Sequence, residues 1–106
     1  MNKIILGVSI FFMSMPAISA DLGVGKSLSK QCAVCHGKDG ISRHPETPNL
    51  AGLSALYIEK ALVDYKKGSR HDRRMSLIAQ SMSKDDMKNL GAWYAAFKLT
   101  VEVPQI

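Results

Sequence analysis

The sequence predicts a small all-α protein of three to five helices behind an amino-terminal export segment. Three observations carry this expectation. Two stretches set apolar residues at helical spacing behind a serine cap: Ser54 before Tyr57, Ile58, Ala61, Leu62 and Tyr65, and Ser83 before Met87, Leu90, Gly91, Tyr94 and Phe97. No segment alternates like a strand before Leu99-Thr100-Val101-Glu102-Val103, which Pro104 ends. The first 20 residues follow a different pattern from the rest and read as a leader.

That leader begins with Asn2 and Lys3, continues through the apolar run Ile4 to Met13, and ends in Pro16 and the small residues Ala17-Ile18-Ser19-Ala20. Basic, apolar, then small is the order of a secretory signal. The apolar run falls short of the ~20 residues a membrane span requires. Cleavage is expected after Ala20, with Ser19 as the other option because Ile18 is bulky for its position. The expectation is therefore residues 1–20 as signal peptide and 21–106 as one exported, periplasmic domain with no membrane span in its mature form. So short a domain buries a modest core and usually needs a further source of stability. Of the 14 Lys and Arg only Lys3 lies in the leader, while all 9 Asp and Glu lie beyond it, which leaves the domain at +4. That charge is too small, and too poorly interleaved with aromatics, to indicate nucleic acid. Acidic protein partners suit it better.

Within the domain, Val24 to Ala33 reads as a first helix leading into the cysteines. Residues 37–48 are rich in Gly, Pro and polar side chains and read as a loop. Gly68 stops the Ser54-capped helix just after Lys66-Lys67, and the polar stretch from Gly68 to Arg74 reads as a second loop. Ser83 with Asp86 three residues later forms a capping box that opens the last helix. The tail from Leu99 is expected to be extended against the body. No repeat, linker or second domain is visible.

The chemistry lies in the two cysteines, Cys32 and Cys35. A disulfide across so short a loop would restrict the unfolded chain little. A structural zinc site needs four ligands, and only Cys32, Cys35 and His36 stand together. A thioredoxin-type dithiol requires a βαβ context, which is missing. The residue after the second cysteine decides the matter. Cys32-Ala33-Val34-Cys35-His36 is the Cys-x-x-Cys-His attachment pattern of c-type haem. Two thiols one helical turn apart form thioethers with the two vinyl groups, and the adjoining imidazole projects under the ring to bind iron. The covalent haem then serves as the missing core.

These residues resemble the class I cytochromes c, most closely the small bacterial periplasmic type whose domains also occur in tandem in dihaem proteins. The resemblance rests on Cys32 to Gly40, on Pro48-Asn49-Leu50-Ala51-Gly52, on Gly68-Ser69-Arg70 with Met75 beyond, and on Ser83 to Asp86 followed by Trp93-Tyr94. It covers essentially all of residues 23–98. It implies a small class I cytochrome c fold with helices wrapped around one covalent haem c. It also implies a close crossing of the first and last helices at Gly25 and the Gly91/Tyr94 region. By the same resemblance, the carbonyl of Pro48 accepts a hydrogen bond from His36.

The ligand opposite His36 sets the function. A methionine thioether stabilises reduced iron and suits a carrier. Met75 follows a polar loop able to fold over a ring and holds the position where the resembling family keeps its ligand; Met82, just before the Ser83 cap, is the alternative. Met87 reads as core. His44 and His71 sit in polar, Arg-flanked sequence and read as solvated, while Tyr57 and Trp93 read as ordinary core. With His36 and Met75 on the iron, no position remains for substrate, so the chain is expected to be a single-electron carrier and not an enzyme. Lys66, Lys67, Arg70, Arg73 and Arg74 would steer redox partners with acidic docking surfaces. The alternative reading keeps the haem but makes the chain the electron-accepting subunit of an oxidoreductase, such as a flavocytochrome sulfide dehydrogenase.

Overall fold

The computed structural model of the chain describes residues 7–15 and 19–106. The ends of the expected leader, residues 1–6 and 16–18, lie outside the described residues. Residues 7–15 take no regular structure and are exposed throughout, Phe11 and Phe12 included.

Four helices are present among the described residues: α1 (Leu22–His36), α2 (Ala55–Lys67), α3 (Met75–Gln80) and α4 (Lys84–Ala95). Local chemistry sets their ends. Asp21 caps α1 by accepting from the Val24 N–H at 3.0 Å. Gly37, at φ 85°, turns the chain out of α1. Ser54 caps α2 through the Tyr57 N–H at 3.1 Å, and Gly68 closes that helix in the left-handed region. Both halves of the expected capping box form at α4: Ser83 Oγ accepts from the Asp86 N–H at 3.0 Å, and Asp86 Oδ2 accepts from the Ser83 N–H at 2.9 Å.

The short α3 begins where the expected Gly68–Arg74 loop ends, in residues to which the sequence reading assigns no element. Its N-cap residue, Arg74, makes no side-chain capping bond. Asp72 acts instead, its Oδ1 accepting from Arg74 N at 2.9 Å and Met75 N at 2.8 Å. One side chain thus satisfies two donors that a helix start leaves unpaired.

The core gathers Ile58 and Leu62 from α2, Ala79 from α3, Met82 from the junction, and Met87, Leu90 and Tyr94 from α4. Helices α1 and α2 both pack on α4, and α3 packs on α2. Two glycines make these approaches possible. A Cβ at Gly25 would lie 2.2 Å from the Asn89 carbonyl oxygen and 2.8 Å from Trp93 Cβ. A Cβ at Gly91 would lie 2.5 Å from the Ala55 carbonyl oxygen. The expected close crossing therefore exists, but its α4 side is Asn89 and Trp93. Gly91 faces α2 instead, because it lies two residues from Asn89 and so on a different side of the helix. Beyond α4 the tail is non-helical, and Leu99 packs against Gly52.

Candidate functional site

The carboxy-terminal turns of α1 carry Cys32, Cys35 and His36. Cys32 and Cys35 are both half-buried and are not joined to each other in a disulfide. No group of three or more His, Cys, Asp or Glu side chains converges as a metal cluster among the described residues. Cys35 and His36 follow Cys32 by three and four residues, one turn of α1, and these three side chains fall short of the four ligands of a structural zinc site.

His36 is 7 % exposed, the one buried polar side chain among the described residues. Its Nδ1 lies 2.8 Å from the Pro48 carbonyl oxygen. A carbonyl only accepts, so Nδ1 carries the proton and Nε2 keeps its lone pair for a metal. The loop from Gly37 to Leu53 is pinned to hold that carbonyl in place. Gly40, at φ 73°, offers its carbonyl to Leu50 N at 2.8 Å and Ala51 N at 3.0 Å. The Asn49 side chain accepts from Ser42 N at 2.7 Å, and Ser42 Oγ reaches the Cys35 carbonyl at 3.3 Å. A cavity of about 430 Å³ opens beside Cys35, its lining including Ala33, Val34, Lys38, Arg43 and His44. The donor set fits haem c: two thiols one turn apart and an imidazole already oriented by a backbone carbonyl.

Cys32 packs against the core, and burial pushes its thiol upward in pKa. The Tyr94 side chain of α4 lies beside it and offsets part of that rise. Burial also raises the Tyr94 phenol well above its ordinary 10.0. This pairing has no signature in the sequence, where Tyr94 is one apolar position among several.

The chain matches the cytochrome c family model over residues 24–97. The chain belongs to the cytochrome c family. Cytochrome c-554(548) of Halomonas halodenitrificans is 33 % identical over 81 residues, which are 74 % of this chain and 98 % of that protein. The cytochrome subunit of sulfide dehydrogenase of Chlorobaculum tepidum is 37 % identical over 70 residues, 66 % of this chain and 63 % of that one. The structure of reduced cytochrome c4 from Pseudomonas stutzeri superposes with a TM-score of 0.71 at 30 % identity, over 78 % of this chain and 48 % of that chain. The chain spans about half the length of the cytochromes c4 that it matches. Membership makes it an electron-transfer haem domain with covalently bound haem c on a class I fold.

The remaining sequence candidates are distributed as follows. Met75 is half-buried at the first position of α3, whereas Met82 and Met87 are 3 % and 1 % exposed within the core. His44 and His71 are both exposed. Tyr57, read as core, is instead 52 % exposed; its hydroxyl accepts from Arg70, whose guanidinium also lies 4.8 Å from the centre of the Tyr65 ring. Of the five clustered bases, Lys66 donates to the Met82 carbonyl and Arg70 bridges the two tyrosines. Lys67, Arg73 and Arg74 are exposed. A second cleft of about 260 Å³ is rimmed by Lys66, Lys67 and Lys84 over a floor of Val63 and Met87. Lys84 was not singled out in the sequence, because 17 residues separate it from Lys67 and only the packing of α2 on α4 joins them.

Proposed function

We propose that this chain is exported by residues 1–20 and that residues 21–106 form a periplasmic single-electron carrier with one haem c. Cys32 and Cys35 form the two thioethers, His36 Nε2 and Met75 ligate the iron, and Pro48 fixes the imidazole. The observation that carries this reading is the 2.8 Å contact between His36 Nδ1 and the Pro48 carbonyl oxygen. It commits the imidazole to one tautomer and one direction beside the two thiols. The bound haem supplies the redox couple, iron passing between ferric and ferrous. His36 and Met75 would both hold the iron from the chain itself, so little would need to move on electron transfer. Met75 is favoured over Met82 because Met82 is already enclosed by α2 and α4.

The leader reading is supported by the exposure of residues 7–15, none of which packs into the core. No helix among the described residues is long and apolar enough to cross a membrane. Partners with acidic docking surfaces are supported by the exposed Lys67, Arg73 and Arg74 on the segments flanking α3. The deciding experiment is a pyridine haemochrome spectrum combined with the intact mass of the purified, exported protein. One haem per chain and a mass equal to residues 21–106 plus haem are expected. A colourless product with the bare polypeptide mass refutes the reading.

The relationship to a sulfide dehydrogenase cytochrome subunit favours a second reading, in which the chain accepts electrons from a tightly associated flavoprotein. Co-purification of the untagged native protein with a flavin-containing subunit distinguishes it from a free carrier.

A further inference from the structure

Helix α3 is too short to hold itself. Its six residues make fewer than two turns, well below the ~12–15 residues at which an isolated helix becomes stable in water. Its place is therefore set from outside. Among the described residues its backbone packs on α2 and on no other helix. Asp72 ties down its start. Two side chains hold its end. Gln80, the last residue of α3, donates through Nε2 to the Lys66 carbonyl at 3.2 Å and to the Ser76 carbonyl at 3.3 Å. Both partners only accept, so the amide has one orientation and both its protons are engaged. The Lys66 carbonyl is one of the four that the end of α2 leaves without a partner in the helix. Lys66 also reaches in the opposite sense, its Nζ donating to the Met82 carbonyl just beyond α3. One residue of α2 thus grips the chain at Gln80 and at Met82, and Ala79 beside them is fully buried.

We propose that Lys66 and Gln80 are positioning residues for the iron ligand. They clamp the end of α3 to α2, keep Met75 on the iron and so close that axial position to outside ligands. The inference rests on the assignment of Met75 as the ligand. Met75 opens α3 and Gln80 closes it, and the Gln80 amide reaches back to the carbonyl of Ser76, the neighbour of Met75. In so short a helix, freedom at one end becomes freedom at the other. An outside ligand binds only the open form, so its apparent affinity scales with the fraction of molecules that are open. That affinity therefore measures the clamp.

The test titrates imidazole into the ferric holoprotein and follows hydrogen exchange of the α3 amides. Lys66→Met keeps an unbranched stem and deletes the ammonium; Gln80→Leu removes the amide at an exposed position. The double variant should bind imidazole roughly tenfold or more tighter than wild type. Its α3 amides should exchange faster while those of α1 and α4 stay protected. Lys66→Arg, which retains a donor, should bind imidazole as wild type does. Unaltered imidazole affinity in the double variant overturns the proposal even if α3 exchanges faster, because the pair would then hold the helix and not the ligand. Gln80→Leu alone gives the same reading where the double variant does not fold. A near-infrared sulfur-to-iron band that survives in Met75→Ala overturns the ligand assignment itself. A band lost there, with imidazole affinity unaltered in the Lys66 and Gln80 variants, sinks the clamp alone.

Discussion

At the scale of single residues, the three methionines beyond the leader differ in what surrounds them. Met82 and Met87 are built into the core, and Met75 lies at its margin on α3. A buried methionine cut to alanine leaves a cavity that costs roughly 2–5 kcal/mol, so Met87→Ala should lower stability by that amount in denaturant titrations and keep iron ligation. Met75→Ala should instead abolish the ferric near-infrared sulfur-to-iron band while leaving the helical circular dichroism in place. Survival of the band in that variant would transfer the ligand role elsewhere. Asp72 controls the start of the helix that carries Met75. Two backbone N–H groups hold its carboxyl below the ordinary 3.8. A depressed carboxylate pKa gives stability that is present at neutral pH and down to about pH 4. It is lost as pH falls through the lower folded-state value. Asp72→Ala removes the contribution at every pH, so the stability gap between variant and wild type should be widest near pH 7 and close as the pH falls through the lowered folded-state value. A gap that persists in acid would show that Asp72 acts through something other than its charge.

At the scale of elements, legibility follows the source of each helix's stability. Helices α2 and α4 were readable because each has a serine cap and an apolar stripe that meets the other. Helix α1 extends three residues beyond the expected Ala33 and starts two before the expected Val24. It buries only Gly25 and His36 outright, so no protein-facing stripe marks its length. In the cytochrome c reading a haem covers part of that face. Helix α3 has six residues and no serine or threonine cap, too few for a period to register; its signal was Asp72, hidden in a polar run. Cys32, Cys35, His36 and Pro48 are legible from local spacing and resemblance, but the lysine cleft arises from tertiary packing. The glycines offer a test of that packing. Gly68 has φ 84° and nothing within 4 Å of a Cβ, so Gly68→Ala costs conformational strain alone, about 1–2 kcal/mol. Gly25 lies inside a regular helix against the α4 backbone. Gly25→Ala must separate two helices, an overpacking cost of about 1–3 kcal/mol or more. It should also perturb the haem spectrum, which Gly68→Ala should leave untouched. Equal melting temperatures and identical spectra for the two variants would contradict the close-crossing role.

For the whole molecule, the arrangement of charge matters more than its total. A net +4 after loss of the leader is modest, but packing α2 on α4 brings Lys84 beside Lys66 and Lys67, and the α2–α3 loop adds Arg73 and Arg74. Redox encounters use small interfaces that form and break quickly, so long-range attraction sets their rate more than contact area does. At ~0.01 M salt the Debye length is about 30 Å and the whole basic face acts on an approaching partner; near 0.15 M it is about 8 Å and only adjacent charges do. The second-order rate of electron exchange with an acidic partner should therefore fall by roughly tenfold or more between those conditions. The exposed bases supply the clean variants, since Lys66 also holds the Met82 carbonyl and Arg70 is engaged with Tyr57 and Tyr65. Lys67→Glu combined with Arg73→Glu should slow the low-salt reaction and flatten its salt dependence, with the reduction potential and melting temperature close to wild type. Stopped-flow rates indifferent to ionic strength in the wild-type protein would mean that this face does not guide the partner.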